Sequence, residues 1–266
     1  MRTVIIGSGN TATILGRQFL LSGHEVVQVA GRNHASVAQL AAILNCPFTT
    51  NINQADPNAD IYVLAIADDA IAAVAGQLNL DKKLVVHTAG SVSKDVLKVC
   101  SRNYGILYPL QSLRKEMGTV PDIPFLVDGN TPDDLAVISE FAATLSPMVQ
   151  KAGDDYRLKI HLAAVMVSNF TNHLYTLAYQ YCQKEALDFK MLLPLIAAIA
   201  ERIKHFEPDA VQTGPAVRHD TVTINKHLAL LNDHPGLKEF YAMFTKSIGE
   251  GYKYGSYLKA FTATVW

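Results

Sequence analysis

The sequence predicts the α/β class: a doubly wound, mostly parallel sheet at the N-terminus, followed by an all-helical C-terminal domain. Three observations carry this. Strand-length apolar runs recur at residues 3–6, 25–30, 60–66 and 84–87, with helix-compatible stretches between them. The first run flows straight into a turn of small residues, Gly7-Ser8-Gly9-Asn10-Thr11-Ala12. After Gly153 the strand signal ends, and from 154 to about 187 there is neither Gly nor Pro. At 266 residues the chain suits two domains, placed at 1–152 and 153–266.

The elements follow in order. Residues 3–6 (TVII) read as a buried strand, and the apolar pattern of Ile14, Leu15, Phe19 and Leu20 reads as a helix that Gly23 ends. Strand, G-x-G-x-x-A, helix and strand together form the opening of a dinucleotide-binding Rossmann unit. Gly7 permits the tight turn, Gly9 lets a diphosphate approach the backbone, and Ala12 and Gly16 let the helix lie close to the sheet. The helix start offers free N–H groups and a positive partial charge to phosphate. The bland alternative is an ordinary glycine-rich turn.

The second strand ends in Ala30-Gly31-Arg32-Asn33, with no Asp or Glu to hold a ribose 2′-hydroxyl. Arg32 instead puts a planar cation where a 2′-phosphate would sit, with Asn33 as a further donor. NADP is therefore expected over NAD, against the alternative that Arg32 is a solvated loop residue. Next come a helix over 34–45, a short edge strand at 47–50, a strand at 60–66, and a helix from 70 to about 78 with Asp69 as its N-cap. Ala65, Ile66, Ala67 and Asp68 follow a strand end and are expected beside the cofactor. Thr88, Ala89 and Gly90, after the strand at 84–87, are placed there too. Strands are expected at 105–108, 121–127 and 148–151, with a helix over 132–145.

The second domain reads as one long helix from 154 to about 187, then helices at 190–204, 216–232 and 236–249. On the long helix His161, Ser168, Asn172, Tyr175 and Tyr179 share one stripe at 100° per residue. It is either the wet face or the lining of a cleft between the domains. In the second case His161 is the candidate proton donor or acceptor, since imidazole titrates near neutral pH; a structural histidine is the alternative. In the run 213–223, Gly-Pro starts a helix, and Arg218 and Asp220 are candidates to bind a carboxylate and orient a donor. A surface ion pair with a capped helix is the plainer reading.

Composition narrows the classes. A formal charge of −1 gives no general attraction to nucleic acid or membrane. No uncharged apolar run reaches the length of a membrane span. Three scattered cysteines read as thiols in a reducing compartment, and the histidines show no metal-ligand spacing. The N-terminus reads as the first strand rather than a signal peptide, so a cytoplasmic protein without a metal is expected. So much apolar helix surface also predicts a homodimer.

With these residues in view, the chain resembles the family labelled domain of unknown function 2520 (DUF2520). The resemblance spans essentially the whole chain, through GSGNTA at 7–12, YPLQS at 108–112, HLAAVMVSN at 161–169 and TGPAVRHDTVT at 213–223. Tyr108 stands where that family would lead one to expect His, and His219 where Gly often precedes Asp. The resemblance implies a relative of pyrroline-5-carboxylate reductases, β-hydroxyacid dehydrogenases and F420-dependent NADP reductases. Its helical domain would be of the 6-phosphogluconate dehydrogenase C-terminal type, forming a dimer and covering the nicotinamide. The expected activity is NADP-dependent hydride transfer to or from a small polar molecule, contacted by Gln111, Ser112, Asn169, Arg218 and Asp220. A non-catalytic NADP sensor is the alternative, because the Lys-x-x-x-Asn pair of β-hydroxyacid dehydrogenases is missing: Lys159 has Ala163 four residues on.

Overall fold

The structure is a computed structural model, and it describes residues 1–251. The strands are β1 (Arg2–Ile6), β2 (Glu25–Ala30), β3 (Phe48–Thr49), β4 (Ile61–Leu64), β5 (Asp81–His87), β6 (Ser101–Pro109), β7 (Phe125–Gly129) and β8 (Val149–Lys151). Their order across the sheet is β3-β2-β1-β4-β5-β6-β7-β8. The pairs from β3 through β6 are parallel, β6 and β7 are antiparallel, and β7 and β8 are parallel. The order reverses direction between β1 and β4, the place where such sheets open a ligand crevice.

Alternate residues of each strand point to opposite faces, and both faces are covered. On one face Ile5, Val29 and Val63 pack with Ile14, Leu15 and Phe19 of α1 (Asn10–Leu21) and Leu40 of α2 (His34–Leu44). On the other, Val4, Ile6, Tyr62 and Leu64 pack with Ile71 and Ala75 of α3 (Ile71–Ala75). That two-sided burial is why the strands read as unbroken apolar runs, and each such side chain contributes about 1.5–3 kcal/mol. Gly16 belongs to the close helix face: a Cβ there would stand 2.6 Å from Leu44 Cδ1 and 3.1 Å from Ile5 Cδ1.

Several bounds differ from expectation. The strand expected at 121–127 is β7, Phe125–Gly129, because Pro121 and Pro124 have no N–H to give a ladder. The helix expected over 70–78 is a 3-10 turn at Asp68–Ala70 and then α3, which Gly76 ends. Asp69 lies inside that turn, and no side chain caps either piece. α4 (Pro132–Leu145) forms as expected, with Thr131 and Asp134 in a reciprocal capping box.

The chain divides into two compact units, residues 1–170 and residues from 171 on. The first ends in α5 (Asp154–Ala164) and a π-helical stretch, Val165–Phe170; the second begins with α6 (Thr171–Lys184). The expected uninterrupted helix is therefore broken by wider i→i+5 turns, and a stripe reckoned at 100° per residue does not carry through them. Val165 and Val167 supply the β-branched crowding that an α-helical turn accommodates least well. α6 stops at Lys184 through a Schellman closure: Leu187 N–H reaches Cys182 O (2.8 Å) and Ala186 N–H reaches Gln183 O (3.4 Å). Ala186 takes the left-handed position there, at φ 56°.

A 3-10 turn at Phe189–Leu192 leads into α7 (Leu193–Arg202). The helix expected from 216 starts only at 221, as α8 (Thr221–Leu230), because His219 is left-handed at φ 51°. α9 (Pro235–Gly249) closes the described residues. The part of the expected helical domain beyond 251 lies outside them. Among the described residues no helix is long and apolar enough to cross a membrane.

Candidate functional site

A cavity of about 810 Å³ opens at the carboxyl ends of β1, β2 and β4. Gly7, Ser8, Gly9, Asn10 and Thr11 form one wall, Gly31, Arg32 and Asn33 a second, and Ala65, Ile66 and Ala67 a third. The two glycines of the turn differ physically. Gly7 has φ 127°, and a Cβ would fall 2.2 Å from Ala65 O, so backbone geometry and packing both demand glycine. A Cβ at Gly9 would meet nothing within 4 Å. Gly9 faces open space, as a residue over which a bulky ligand lies would. It is also the N-cap of α1 and makes no side-chain cap bond, and no acid stands in the helix's first turn. The helix start is thus available to an anion.

Arg32 is the only charged residue lining this cavity; it is exposed, and its side chain has no hydrogen-bond or ion-pair partner among the described residues. Asn33 caps α2, accepting from Ser36 N–H through Oδ1 (2.9 Å), which leaves its amide N–H groups free to donate. An uncapped helix start, a bare glycine and a lone guanidinium around 810 Å³ fit a dinucleotide carrying an extra phosphate. Thr50, Asn51, Ile52 and Gln77 also line the cavity, and sequence reading did not find them. They lie on connecting and helical segments whose composition gives no signal.

The loop after β5 forms a second locus. Thr88 N–H donates to Leu64 O (3.2 Å), and Ser91 Oγ donates to Asp68 Oδ2 (2.6 Å), tying the two expected cofactor loops together. His87 is fully buried; its Nδ1 accepts from Ala89 N–H (3.2 Å) and its Nε2 donates to Ser93 O (3.3 Å). Burial pushes its pKa down to about 4, outweighing the Ser93 carbonyl, which acts the other way. Arg157 of α5, 1% exposed, donates through Nη2 to Val92 O and to Asp154 Oδ1 (2.9 Å). Its Nε and Nη1 have no partner.

Gly90 sits against two side chains: a Cβ there would lie 2.8 Å from His161 Nδ1 and 2.9 Å from Tyr108 Cζ. Those two groups are bonded to each other, Tyr108 Oη to His161 Nδ1 at 2.8 Å. The expected cofactor residue Gly90 and the expected acid–base residue His161 are therefore brought together. Tyr108 completes the group and had no role from sequence. Its one signal was standing where the family would lead one to expect His. Burial raises its phenol pKa, the Asp68 carboxylate adds to this, and Arg157 opposes it.

The remaining candidates are distributed. Gln111 donates to Asp122 O (3.1 Å) and accepts from Ser112 N–H (2.9 Å), so its amide is engaged within its own loop. Asn169 is exposed in the π-helical stretch. Arg218 and Asp220 belong to the second unit. Asp220 caps α8, accepting from Thr223 N–H (3.0 Å) and Thr223 Oγ1 (2.7 Å). The Thr223 bonds hold its carboxyl below the usual range, with Arg218 adding to the effect. Arg218 is itself exposed.

Residues 2–90 match the family described as NADP oxidoreductase, coenzyme F420-dependent, and residues 123–248 match the domain of unknown function DUF2520. Among solved structures the chain is similar to a Bacteroides fragilis protein designated an NADP oxidoreductase, at 36% identity and TM-score 0.88, covering 94% of this chain and 98% of that one. It is also similar to an imine reductase from Myxococcus stipitatus in complex with NADP+ (18%, TM-score 0.63, 94% and 95% covered), a variant of which is in complex with NAD+. A third likeness is to the pyrroline-5-carboxylate reductase of Streptococcus pyogenes (14%, TM-score 0.63, 94% and 99% covered). The last two likenesses are of fold alone. No protein of curated function matches the sequence.

Proposed function

The chain belongs to the NADP oxidoreductase family that carries DUF2520, and from that premise we propose that it moves hydride between NADP and a small polar substrate. The observation that carries the cofactor reading is Arg32, the lone charge in the cavity at the glycine turn. Gly7, Ser8, Gly9, Asn10, Thr11 and Ala12 would hold the diphosphate. Arg32 and Asn33 would take the 2′-phosphate, and residues 65–68 and 88–90 would flank the remainder. When bound, the nicotinamide supplies the hydride chemistry. His161 would meet the substrate's reacting atom, and Gln111, Ser112, Asn169, Arg218 and Asp220 are the candidates to contact the substrate.

The working form in this reading is a homodimer. Leu195, Ile199 and Ile203 of α7 and its exit, and Met243 and Phe244 of α9, are each more than 40% exposed in the single chain. A sensor that binds NADP without turnover is the second reading. Lys159 favours it, since its ammonium is paired with Asp155 (2.7 Å) on the surface rather than set among polar groups of a site.

Calorimetric titration of NADPH and NADH tests the cofactor reading. NADPH should bind more tightly, and Arg32→Ala should weaken NADPH by about 10- to 100-fold, the worth of one charge-assisted contact, with NADH nearly unchanged. Equal affinities would remove the NADP preference, and no heat with either nucleotide would remove the enzyme and sensor readings together. Oxidation of NADPH screened against small imines, keto acids and deazaflavins then separates enzyme from sensor.

A further inference from the structure

The Tyr108–His161 pair has a direction that follows from which groups surround it. Tyr108 is 8% exposed and sits in an aliphatic cluster with Ile106, Leu126, Ala152 and Ile160. Its hydroxyl has one hydrogen-bond partner among the described residues, His161 Nδ1 at 2.8 Å. A buried phenol O–H must give its proton to some acceptor or bear the desolvation cost of leaving it unpaired. Were Nδ1 protonated, it would donate to the phenol oxygen and leave the phenol proton without an acceptor among the described residues. Were Nδ1 bare, that proton is satisfied. The neutral ring then carries its own hydrogen at Nε2, which has no partner among the described residues. The raised phenol pKa, caused by burial and then by Asp68, keeps the hydroxyl protonated and agrees with this.

We propose that Tyr108 is a positioning residue that donates to His161 Nδ1 and so fixes the neutral imidazole in its Nε2–H form. His161 then acts as a hydrogen-bond donor that polarises the substrate's acceptor atom, and not as a base. A base would need a bare nitrogen facing outward, and the only bare nitrogen is the one turned inward onto Tyr108. Hydride arriving at a carbonyl or imine carbon moves the π electron pair onto the oxygen or nitrogen, the neutral Nε2–H stabilises the charge developing there, and the proton that completes the alcohol or amine comes from water, so the pair keeps both its own protons. Gly90 is part of the device. Its φ is unexceptional, so the requirement for glycine there is for room, and any side chain would push into both rings.

The tautomer stands whatever the protein catalyses; its consequence for substrate rests on the oxidoreductase reading. Long-range proton–nitrogen NMR correlation on histidine-labelled protein without ligand, at mildly alkaline pH, reads it directly. His161 should show a protonated Nε2 and a bare Nδ1, and Tyr108→Phe should relax it to a mixture of tautomers. A protonated Nδ1 in the unaltered protein would overturn the proposal, and that spectrum is readable even if the variant folds poorly. Once a substrate is found, Tyr108→Phe should lower kcat about tenfold, the worth of one hydrogen bond, with KM nearly constant. A change confined to KM would show that Tyr108 does not position the donor. The expected tautomer without turnover on any substrate would leave Tyr108's role intact and remove only the oxidoreductase reading.

Discussion

The two units bury their apolar residues very differently. In the first, the sheet is covered on both faces, and Phe19, Ile5, Val63 and Tyr62 are inaccessible to water. In the second, Cys182, Ala216 and Leu231 are the buried apolar residues among those described, while Leu195, Ile199, Ile203 and Phe206 each expose half or more of their surface. The contrast lies in packing. The first unit buries its sheet completely, although Leu158 and Leu162 of α5 and Met166, Val167 and Phe170 of the π-helical stretch are each more than half exposed. The second presents side chains that only another surface can take out of water, which is where the homodimer reading comes from.

Substitutions sharpen this contrast, beginning with the largest. Phe19→Ala should cost about 3–5 kcal/mol, because Phe19 is fully buried with its ring 5.3 Å from that of Phe141. Urea unfolding of the full chain reads this directly. Ile199→Ala, at a residue 51% exposed, should cost under about 1 kcal/mol in the monomer. In a dimer its cost should grow with protein concentration, as should the melting temperature of the unaltered protein. A concentration-independent melting temperature together with a neutral Ile199→Ala would break the comparison in favour of a self-sufficient second unit.

The second expectation concerns pH and belongs to the first unit. His87 is neutral when buried, with its pKa lowered from 6.5 to about 4, whereas in the unfolded chain it titrates at its ordinary value. The unfolded state therefore binds more protons between these values. The contribution is fully present above about pH 6.5 and is lost as pH falls toward 4, by roughly 3 kcal/mol in all. Unfolding midpoints measured across this interval should fall with pH, and His87→Gln should flatten the slope. An unchanged slope in that variant would assign the acid sensitivity elsewhere.

The smallest effect lies in the second unit. Ala186 holds the left-handed position that closes α6, at φ 56°, which a Cβ disfavours. Ala186→Gly should stabilise the chain by about 0.5–1 kcal/mol, the relief of strain less the added freedom of the unfolded glycine. A destabilised variant would show that the α6 terminus takes another form in solution.

What sequence could reveal followed the range of the forces involved. The opening turn was legible because its causes are local: Gly7 is required by backbone and space, Gly9 leaves the helix start open, and Arg32 comes two residues after the next strand. Helix ends were less legible where an unusual residue took the usual position. Ala186 closes α6 where Gly would have signalled it, and His219 delays α8 past Pro215. The π-helical stretch was marked only by the β-branched Val165 and Val167, which ordinary helices carry as well. The Tyr108–His161 bond joins residues 53 apart in the chain, and only the placement of α5 against β6 makes it. The Gln111 bond to Asp122 O had no local signal, whereas the Asp220 cap of α8 matches the plainer reading of the Gly-Pro run.

One more consequence comes from the segment that follows β5. Thr88 is pinned to Leu64, Ser91 to Asp68, Val92 to the Arg157 guanidinium, and Ser93 to His87, so four anchors from three directions hold six residues of chain. A stretch fastened this way gives up little disorder when a guest arrives. If residues 88–90 flank a cofactor as proposed, it would meet them as a key entering a cut lock, with the entropic toll of shaping that stretch already met when the chain folded.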